Sequence, residues 1–244
     1  MNTHTLLLLL VATVAAHARG APRAWETQIR CYASANQQGE WYDFNEAISN
    51  LATVNFDNTI ESIKVTGMWM LYQEPDYNTY SSGYVYWIDG IDYTGDVPSE
   101  YTNMASSLRY AGSPFQLNED CWTIYAGEGF TEEGLYGNTD AGNLDRLSGE
   151  VSSIVLTGTS SWTFYDGDNF TGRHVCLKPD THHHHDLLKS LDVGIFATSS
   201  DFQMQDNSIR SVKKGCFSNV VVRADTAAHT VESSHNGAWG IIKL

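Results

Sequence analysis

The chain has 244 residues, with 29 acidic and 14 basic side chains and a formal net charge of −15. Such an acidic surface repels phosphate backbones, which proteins bind through Lys and Arg, so the charge argues against nucleic acid as a partner. It suits hard cations such as calcium, whose ligands are oxygen atoms. Beyond the N-terminal segment no stretch approaches the ~18 consecutive apolar residues of a membrane span, so we expect no stable membrane insertion.

Residues 1–18 have the pattern of a secretory signal peptide. The run over residues 6–14 is apolar except for Thr13 and is shorter than the ~20 residues of a membrane helix. Ala16 and Ala18 flank one residue in the small-x-small arrangement that signal peptidase cleaves. We predict cleavage after Ala18 and a secreted, extracellular mature chain.

Four cysteines follow this segment: Cys31, Cys121, Cys176 and Cys216. In an oxidising compartment an even number suggests two disulfides, and three connectivities remain open. No Cys-x-x-Cys pair exists, so structural cross-links are favoured over a zinc site or a redox motif.

The rest of the chain shows short alternating apolar runs between Gly-containing turns, which predict β-strands and little helix. One pattern occurs in three copies and a fainter fourth: an aromatic residue, four intervening residues, a second aromatic, which the fainter copy lacks, and then a glycine. The first position is Tyr32, Tyr72, Tyr125 and Tyr165, and the second is Gln37, Tyr77, Phe130 and Phe170. We interpret each copy as a folded hairpin whose corner uses the positive φ that glycine tolerates.

A companion motif of six residues follows each hairpin and ends in serine. The four copies occupy residues 57–62, 102–107, 148–153 and 206–211. The final serine can bond its hydroxyl to the backbone of the hairpin and hold the last strand beside it. Four antiparallel strands then form a Greek key, and two such units can share one sandwich core.

Together, the Tyr/Phe-x4-Tyr/Phe-x-Gly pattern and the Asx-Asx-x-x-Ser/Thr-Ser motif resemble the βγ-crystallin superfamily. The resemblance implies an all-β fold of two βγ-crystallin-like Greek-key sandwich domains, one over residues 25–115 and one over residues 116–217. The fourth repeat carries a His-rich insertion near residues 177–201, and a C-terminal extension over residues 218–244 matches no repeat. Departures from the family pattern are Gln37 and the additional residues before the glycines of the second and third hairpins.

The resemblance also implies calcium sites. Each takes a main-chain carbonyl from the third motif position, a hydroxyl from the fifth, and an Asx side chain from the first position of the partner repeat. In the first domain these residues are Met104, Ser106 and Asp57; in the second they are Glu150, Ser152 and Asp206. The alternative is that all four motifs only stabilise the fold.

The two remaining pairings depart from this pattern. One would use Thr59, Glu61 and Thr102, with Glu61 in place of the hydroxyl, and we keep it as a weaker third site. The other would use Ser208, Arg210 and Ser148, where a guanidinium excludes calcium.

The histidine run over residues 182–185 can bind transition metals, but a run does not guarantee an ordered site. We therefore interpret it as a solvated surface loop. No recognised catalytic motif occurs in the sequence. We predict a secreted, non-enzymatic, calcium-binding structural or stress-type protein, with its protein partner unknown. The alternatives are a metal-free recognition module or subunit of an extracellular defence or membrane-active assembly, and a hydrolase with an unrecognised site.

Overall fold

The computed structural model describes residues 26–180, 184–185 and 189–244, so the predicted signal peptide lies outside the described residues. Within these ranges the fold is all-β, as predicted, with one α-helix, α1 (Thr226–His229), and four short 3-10 helices. No helix in the described part of the chain is long and apolar enough to cross a membrane. The strands are β1 (Gln28–Ser34), β2 (Gln38–Phe44), β3 (Ser62–Tyr72), β4 (Tyr84–Asp96), β5 (Ser107–Ala111), β6 (Cys121–Tyr125), β7 (Gly134–Gly137), β8 (Ser153–Thr157), β9 (Trp162–Gly167), β10 (Thr171–Lys178), β11 (His184–His185), β12 (Ser190–Leu191), β13 (Val193–Phe196), β14 (Ser211–Lys214), β15 (Val221–Arg223), β16 (Glu232–Ser233) and β17 (Gly237–Lys243). The 3-10 helices are Leu51–Val54, Pro75–Asn78, Glu128–Phe130 and Asp145–Leu147.

In the first half of the chain, β3 serves two repeats. Its first part pairs with β1 and closes the first repeat, and its second part pairs with β5 and opens the second. Gly67 separates the parts with φ +98°, a conformation that side chains disfavour. A bridge between Ile48 and Leu108 links the repeats. Both therefore enclose one core, which includes Ile29, Leu51 and Trp69.

The second half repeats this plan with two four-stranded sheets, in the orders β13-β8-β6-β7 and β14-β9-β10-β15. A bridge between Ala141 and Val212 joins its repeats as Ile48 and Leu108 do in the first half. Trp122, Trp162 and Phe164 lie in its core. The structure thus consists of two Greek-key sandwich domains.

The final serines of the companion motifs bond to the hairpins in all four repeats. In the first repeat, Ser62 Oγ donates to the Ser34 carbonyl at 2.6 Å and accepts from the Gln37 amide at 2.9 Å. The equivalent bonds are Ser107 to Glu74 and Tyr77, Ser153 to Gly127 and Phe130, and Ser211 to Gly167 and Phe170. Each of these serines is fully buried, so its bonds stabilise the hairpin in a site that excludes water.

The hairpin corners follow the sequence expectation in only two repeats. Gly39 and Gly172 adopt positive φ, at 79° and 81°, in the first and fourth. The second and third hairpins place non-glycine residues in this region, including Asn78 at 59° and Glu132 at 62°. The additional residues move the expected glycine past the corner: Gly134 instead begins β7, where a Cβ would lie 3.0 Å from the ring of Tyr125.

A third hydrophobic cluster joins the two domains. It combines side chains of β3 and β4 with side chains of β6, β8 and β13 from the second domain. Its largest members are Tyr72, Trp87, Tyr125 and Phe130, all almost completely buried. Burial of this apolar surface holds the domains together as one body.

Arg109 crosses this interface from β5. Its Nε donates to Tyr72 Oη at 2.8 Å, and its guanidinium donates to the main-chain carbonyls of Phe130 and Glu132 in the second domain. Its Cζ also lies 4.4 Å from the ring centre of Tyr77 and 4.5 Å from that of Tyr125. The interface therefore contains a cation bound by carbonyls and aromatic faces.

Arg109→Met is expected to lower the free energy of unfolding by about 2 to 3 kcal/mol, because it removes three charged hydrogen bonds and the cation–π contacts. Guanidinium chloride unfolding measures the loss. Arg30→Met is the matched control: Arg30 lies 4.0 Å from the centre of the Trp41 ring and pairs with Asp43, but its side chain is 38% exposed. Its replacement should cost less than about 1 kcal/mol. Equal losses in the two variants would contradict a role for Arg109 at the interface.

The C-terminal extension returns to the first domain. After β15 pairs in parallel with β10, the chain continues to β17, which pairs with β4 along seven residues. Nothing in the repeat pattern predicted this strand. It covers the outer edge of β4, which would otherwise be unpaired.

One disulfide is present, between Cys176 and Cys216, which confirms the prediction that cysteines cross-link the chain. The expectation of a second disulfide is wrong, since Cys31 and Cys121 are buried free thiols. The physical reason is position: Cys31 lies on β1 in the first domain and Cys121 begins β6 in the second.

Candidate metal sites

The companion motifs meet in pairs, and the pairing follows a local two-fold symmetry. The Asn58 amide donates to the Ala105 carbonyl at 2.9 Å, and the Asn103 amide donates to the Ile60 carbonyl at 3.0 Å. The second domain repeats both bonds, from Asn207 to Val151 and from Gly149 to Ile209. The second motif position has positive φ in all four copies, which turns its amide toward the partner motif.

In the first domain this arrangement brings the segment of Asp57 beside the segment of Met104 and Ser106. Asp57 Oδ2 accepts from the side-chain amide of Asn58 at 3.0 Å. Asp57 Oδ1 is buried and has no hydrogen-bond partner among the described residues. Ser106 is 5% exposed, and its amide bonds to the Tyr72 carbonyl at 2.8 Å. A buried, uncompensated carboxylate oxygen is costly, and a cation ligand would relieve that cost.

In the second domain, Ser152 reaches the partner motif directly. Its Oγ donates to Asn207 Oδ1 at 3.2 Å, and Asn207 donates to Asp206 Oδ2 at 3.3 Å. Asn207 therefore connects the Ser152 hydroxyl with the Asp206 carboxylate, the two groups that the sequence assigns to one site. Glu150 is exposed on the same motif.

In the weaker site, the acidic side chain already has a hydrogen-bond partner. Glu61 Oε1 accepts from Asn103 Nδ2 at 2.9 Å. Thr59 and Thr102 donate their hydroxyl groups to carbonyls of their own loops, at Asp57 and Ser99. The bond from Asn103 competes with coordination by Glu61 Oε1, whereas Thr59 would contribute its main-chain carbonyl and not its hydroxyl.

At the fourth position, the Arg210 guanidinium lies over Gly149. A Cβ on Gly149 would be only 3.1 Å from Arg210 Nη2, so the arginine fills the space above the partner motif. Ser208 Oγ donates to the Gln205 carbonyl, and Ser148 Oγ accepts a long bond from Asn143. The cation of Arg210 therefore lies between the two motifs that would hold calcium.

No group of three or more His, Cys, Asp or Glu side chains suited to a metal occurs in the described ranges. Each candidate site has one carboxylate, and its other protein ligands would be a hydroxyl and a main-chain carbonyl. Such a donor set consists of oxygen atoms alone, which suits calcium and not zinc or copper.

The expectation of a solvated histidine loop is wrong for His184. This residue is 2% exposed, and its Nε2 lies 3.4 Å from Oδ1 of the fully buried Asp89. The side chains of the other three histidines in the run lie outside the described residues. One feature of the sequence could have indicated this pair. Asp89 has the same period-two spacing as Val85, Trp87 and Ile91, so it lies on the strand face that packs in the domain interface.

Comparison with known proteins agrees with this architecture. Residues 28–110 match the Beta/Gamma crystallin family. Gamma-crystallin A of Rattus norvegicus is 28% identical over 183 residues, which cover 65% of this chain and 88% of the relative. Gamma-crystallin A of Mus musculus is 28% identical over 166 residues, with the same coverage.

The structure of Geodin, a beta-gamma crystallin from Geodia cydonium, superposes with a TM-score of 0.57 at 18% identity. The match covers 78% of this chain and 99% of Geodin and concerns the fold. The repeated hairpins, the buried serines, the paired motifs and these similarities together support the βγ-crystallin superfamily, and the family match itself covers residues 28–110.

Proposed function

We propose that the protein is a secreted, non-enzymatic structural βγ-crystallin that binds calcium at one site in each domain. The first site uses Asp57, Met104 and Ser106, and the second uses Asp206, Glu150 and Ser152. The observation that carries this proposal is the buried Asp57 Oδ1, which has no hydrogen-bond partner among the described residues. The disulfide supports secretion, because such bonds persist in oxidising compartments.

The donor sets imply weak binding. Calcium takes six to eight oxygen ligands, and each site offers one anionic side chain, so water must complete the coordination. We expect dissociation constants of about 10⁻⁵ to 10⁻³ M, the range of weak sensors and extracellular modules. At about 100 times the dissociation constant, calcium would stabilise the folded state by about 2.7 kcal/mol per site.

The proposed sites are better supported than a recognition module that uses the insertion and the extension. Both segments make contacts within the chain: β17 pairs with β4, and β13 pairs with β8. The partner surfaces that this alternative requires are therefore at least partly occupied by the protein itself.

Isothermal titration of the purified chain with calcium should give a stoichiometry of two. Asp57→Ala and Asp206→Ala should each reduce it to one, and the double variant to zero, because each removes the only carboxylate of its site. Asp76→Ala, an exposed acid outside the motifs, is the matched control and should retain both sites. Wild-type stoichiometry in both Asp variants would show that the motifs only stabilise turns.

A further inference from the structure

Three parts of the chain that are distant in sequence meet around the carboxylate of Asp89. Asp89 lies on β4 of the first domain, with Met68 of β3 and Ala238 of β17 as its neighbours in the sheet. His184 reaches it from β11 in the insertion of the fourth repeat. The carboxylate therefore lies where the first domain, the insertion and the C-terminal extension pack together.

Both side chains of this pair are out of solvent. The exposed fraction is 3% for the His184 side chain and 0% for the Asp89 side chain, and His184 Nε2 lies 3.4 Å from Asp89 Oδ1. No other cation forms an ion pair with Asp89 within the described residues. A buried carboxylate is strongly unfavourable unless an opposite charge accompanies it. Asp89 thus favours the conformation in which His184 of β11 is protonated and lies beside its carboxylate.

We propose that the His184–Asp89 pair is a proton-dependent latch, which holds the insertion and the C-terminal extension against the first domain when His184 is charged.

The latch has a defined electrostatic environment. Asp192, which follows β12, also faces His184, but it already bonds to Asn118: the Asn118 side chain donates to Asp192 Oδ2 at 3.0 Å. The main chain of His235, in the turn between β16 and β17, also contacts the imidazole. On the other side, Tyr93 of β4 faces Asp89 and Glu232 of β16. Among the described residues, the charged side chains that act on the imidazole, Asp89 and Asp192, are both acidic.

These groups determine the direction of the pH response. Burial disfavours the imidazolium, but the attraction of Asp89, with contributions from His235 and Asp192, outweighs it and raises the pKa of His184 above 6.5. A raised folded-state pKa gives stability that is fully present below pH 6.5 and is lost as the pH rises through the folded-state pKa. The latch should therefore be closed in mildly acidic solution and weaken in alkaline solution.

Hydrogen exchange of the full chain, followed by mass spectrometry, tests this directly. Exchange rates for peptides covering β12–β13 and β16–β17 are normalised to intrinsic rates and to a peptide covering β1–β2. We expect local opening to increase with pH, by about tenfold for each unit by which the pair raises the pKa. In His184→Gln and Asp89→Asn this pH dependence should disappear, and opening should be frequent at every pH.

The His229–Asp201 pair provides the matched control. Its Nε2 and Oδ2 atoms also lie 3.4 Å apart, but the side chains are 24% and 29% exposed. His229→Gln should leave the pH dependence around β12 intact. A pH dependence that persists in Asp89→Asn would overturn the latch.

If the variants do not fold, NMR titration of the wild-type histidine ring signals replaces them. A midpoint for His184 above 6.5, with opening of β16–β17 over the same pH interval, supports the latch. A midpoint at or below 6.5 overturns it.

Discussion

Replacement of Cys176 and Cys216 by alanine is expected to lower the free energy of unfolding by about 4 kcal/mol. The disulfide joins residues 40 positions apart, and closing a loop of this length lowers the entropy of the unfolded chain by an amount equivalent to about 4 kcal/mol at 25 °C. The loop contains the insertion and β11 to β14, so the bond constrains the segment of the fourth repeat that departs most from the other three.

Guanidinium chloride unfolding without reductant measures this loss, and reduction of the wild type provides its control. Reductant should destabilise the wild type but leave the double variant unchanged. Equal unfolding energies for the unreduced wild type and the variant would contradict the prediction.

The same disulfide predicts a thiol count. Denatured, unreduced protein should react with two equivalents of a thiol reagent, at Cys31 and Cys121, whereas the native protein should react with none. Burial raises the pKa of both thiols, that of Cys121 to about 12, so little reactive thiolate forms. Four reactive thiols after denaturation would show that the disulfide is absent.

The local parts of the fold could be predicted from sequence because their signals lie within one repeat. A tyrosine, a second residue five positions later and a serine 28 to 46 positions after the tyrosine specify which strands form a hairpin and which strand closes it. The bonds of Ser62 and its three equivalents show why the spacing of these residues is informative. Four copies in the same order also predicted two shared cores.

The long-range parts could not be predicted in this way. The pairing of β17 with β4 joins segments about 150 residues apart, and no motif near residue 237 indicates it. The contacts of Arg109 likewise depend on how two finished domains pack. The composition of the histidine run indicates only a polar segment, whereas the position of His184 depends on one distant buried acid, Asp89.

The candidate metal sites could be predicted from sequence only in part. Repeat symmetry predicted that residues 57–62 would meet residues 102–107, and the bonds from Asn58 and Asn103 show that they do. It could not predict which side-chain atoms would be left without partners. That depends on side-chain orientation, as the difference between Asp57 Oδ1 and the hydrogen-bonded Glu61 shows.

Trp239→Ala is expected to lower the free energy of unfolding by about 3 to 5 kcal/mol, as for other large-to-small core replacements. Trp239 is 8% exposed, belongs to the core of the first domain and lies 5.4 Å from the ring centre of Tyr86. Its strand depends on close packing, since a Cβ on the adjacent Gly240 would lie 1.9 Å from the His229 carbonyl. The extension is therefore an integral part of the first domain.

Thermal and denaturant unfolding of Trp239→Ala measures the loss. Val231→Ala is the control in the same extension, because Val231 is 63% exposed and its truncation should cost less than about 0.5 kcal/mol. Deletion of residues 231–244 should have a further consequence, since it leaves the edge of β4 unpaired and uncovers apolar side chains of the first domain's core and of the cluster between the domains. Unpaired edges of this kind promote association, so the deleted chain should elute as dimers or larger species in size-exclusion chromatography with light scattering. A stable monomer with the wild-type unfolding midpoint would show that the extension only rests on the first domain.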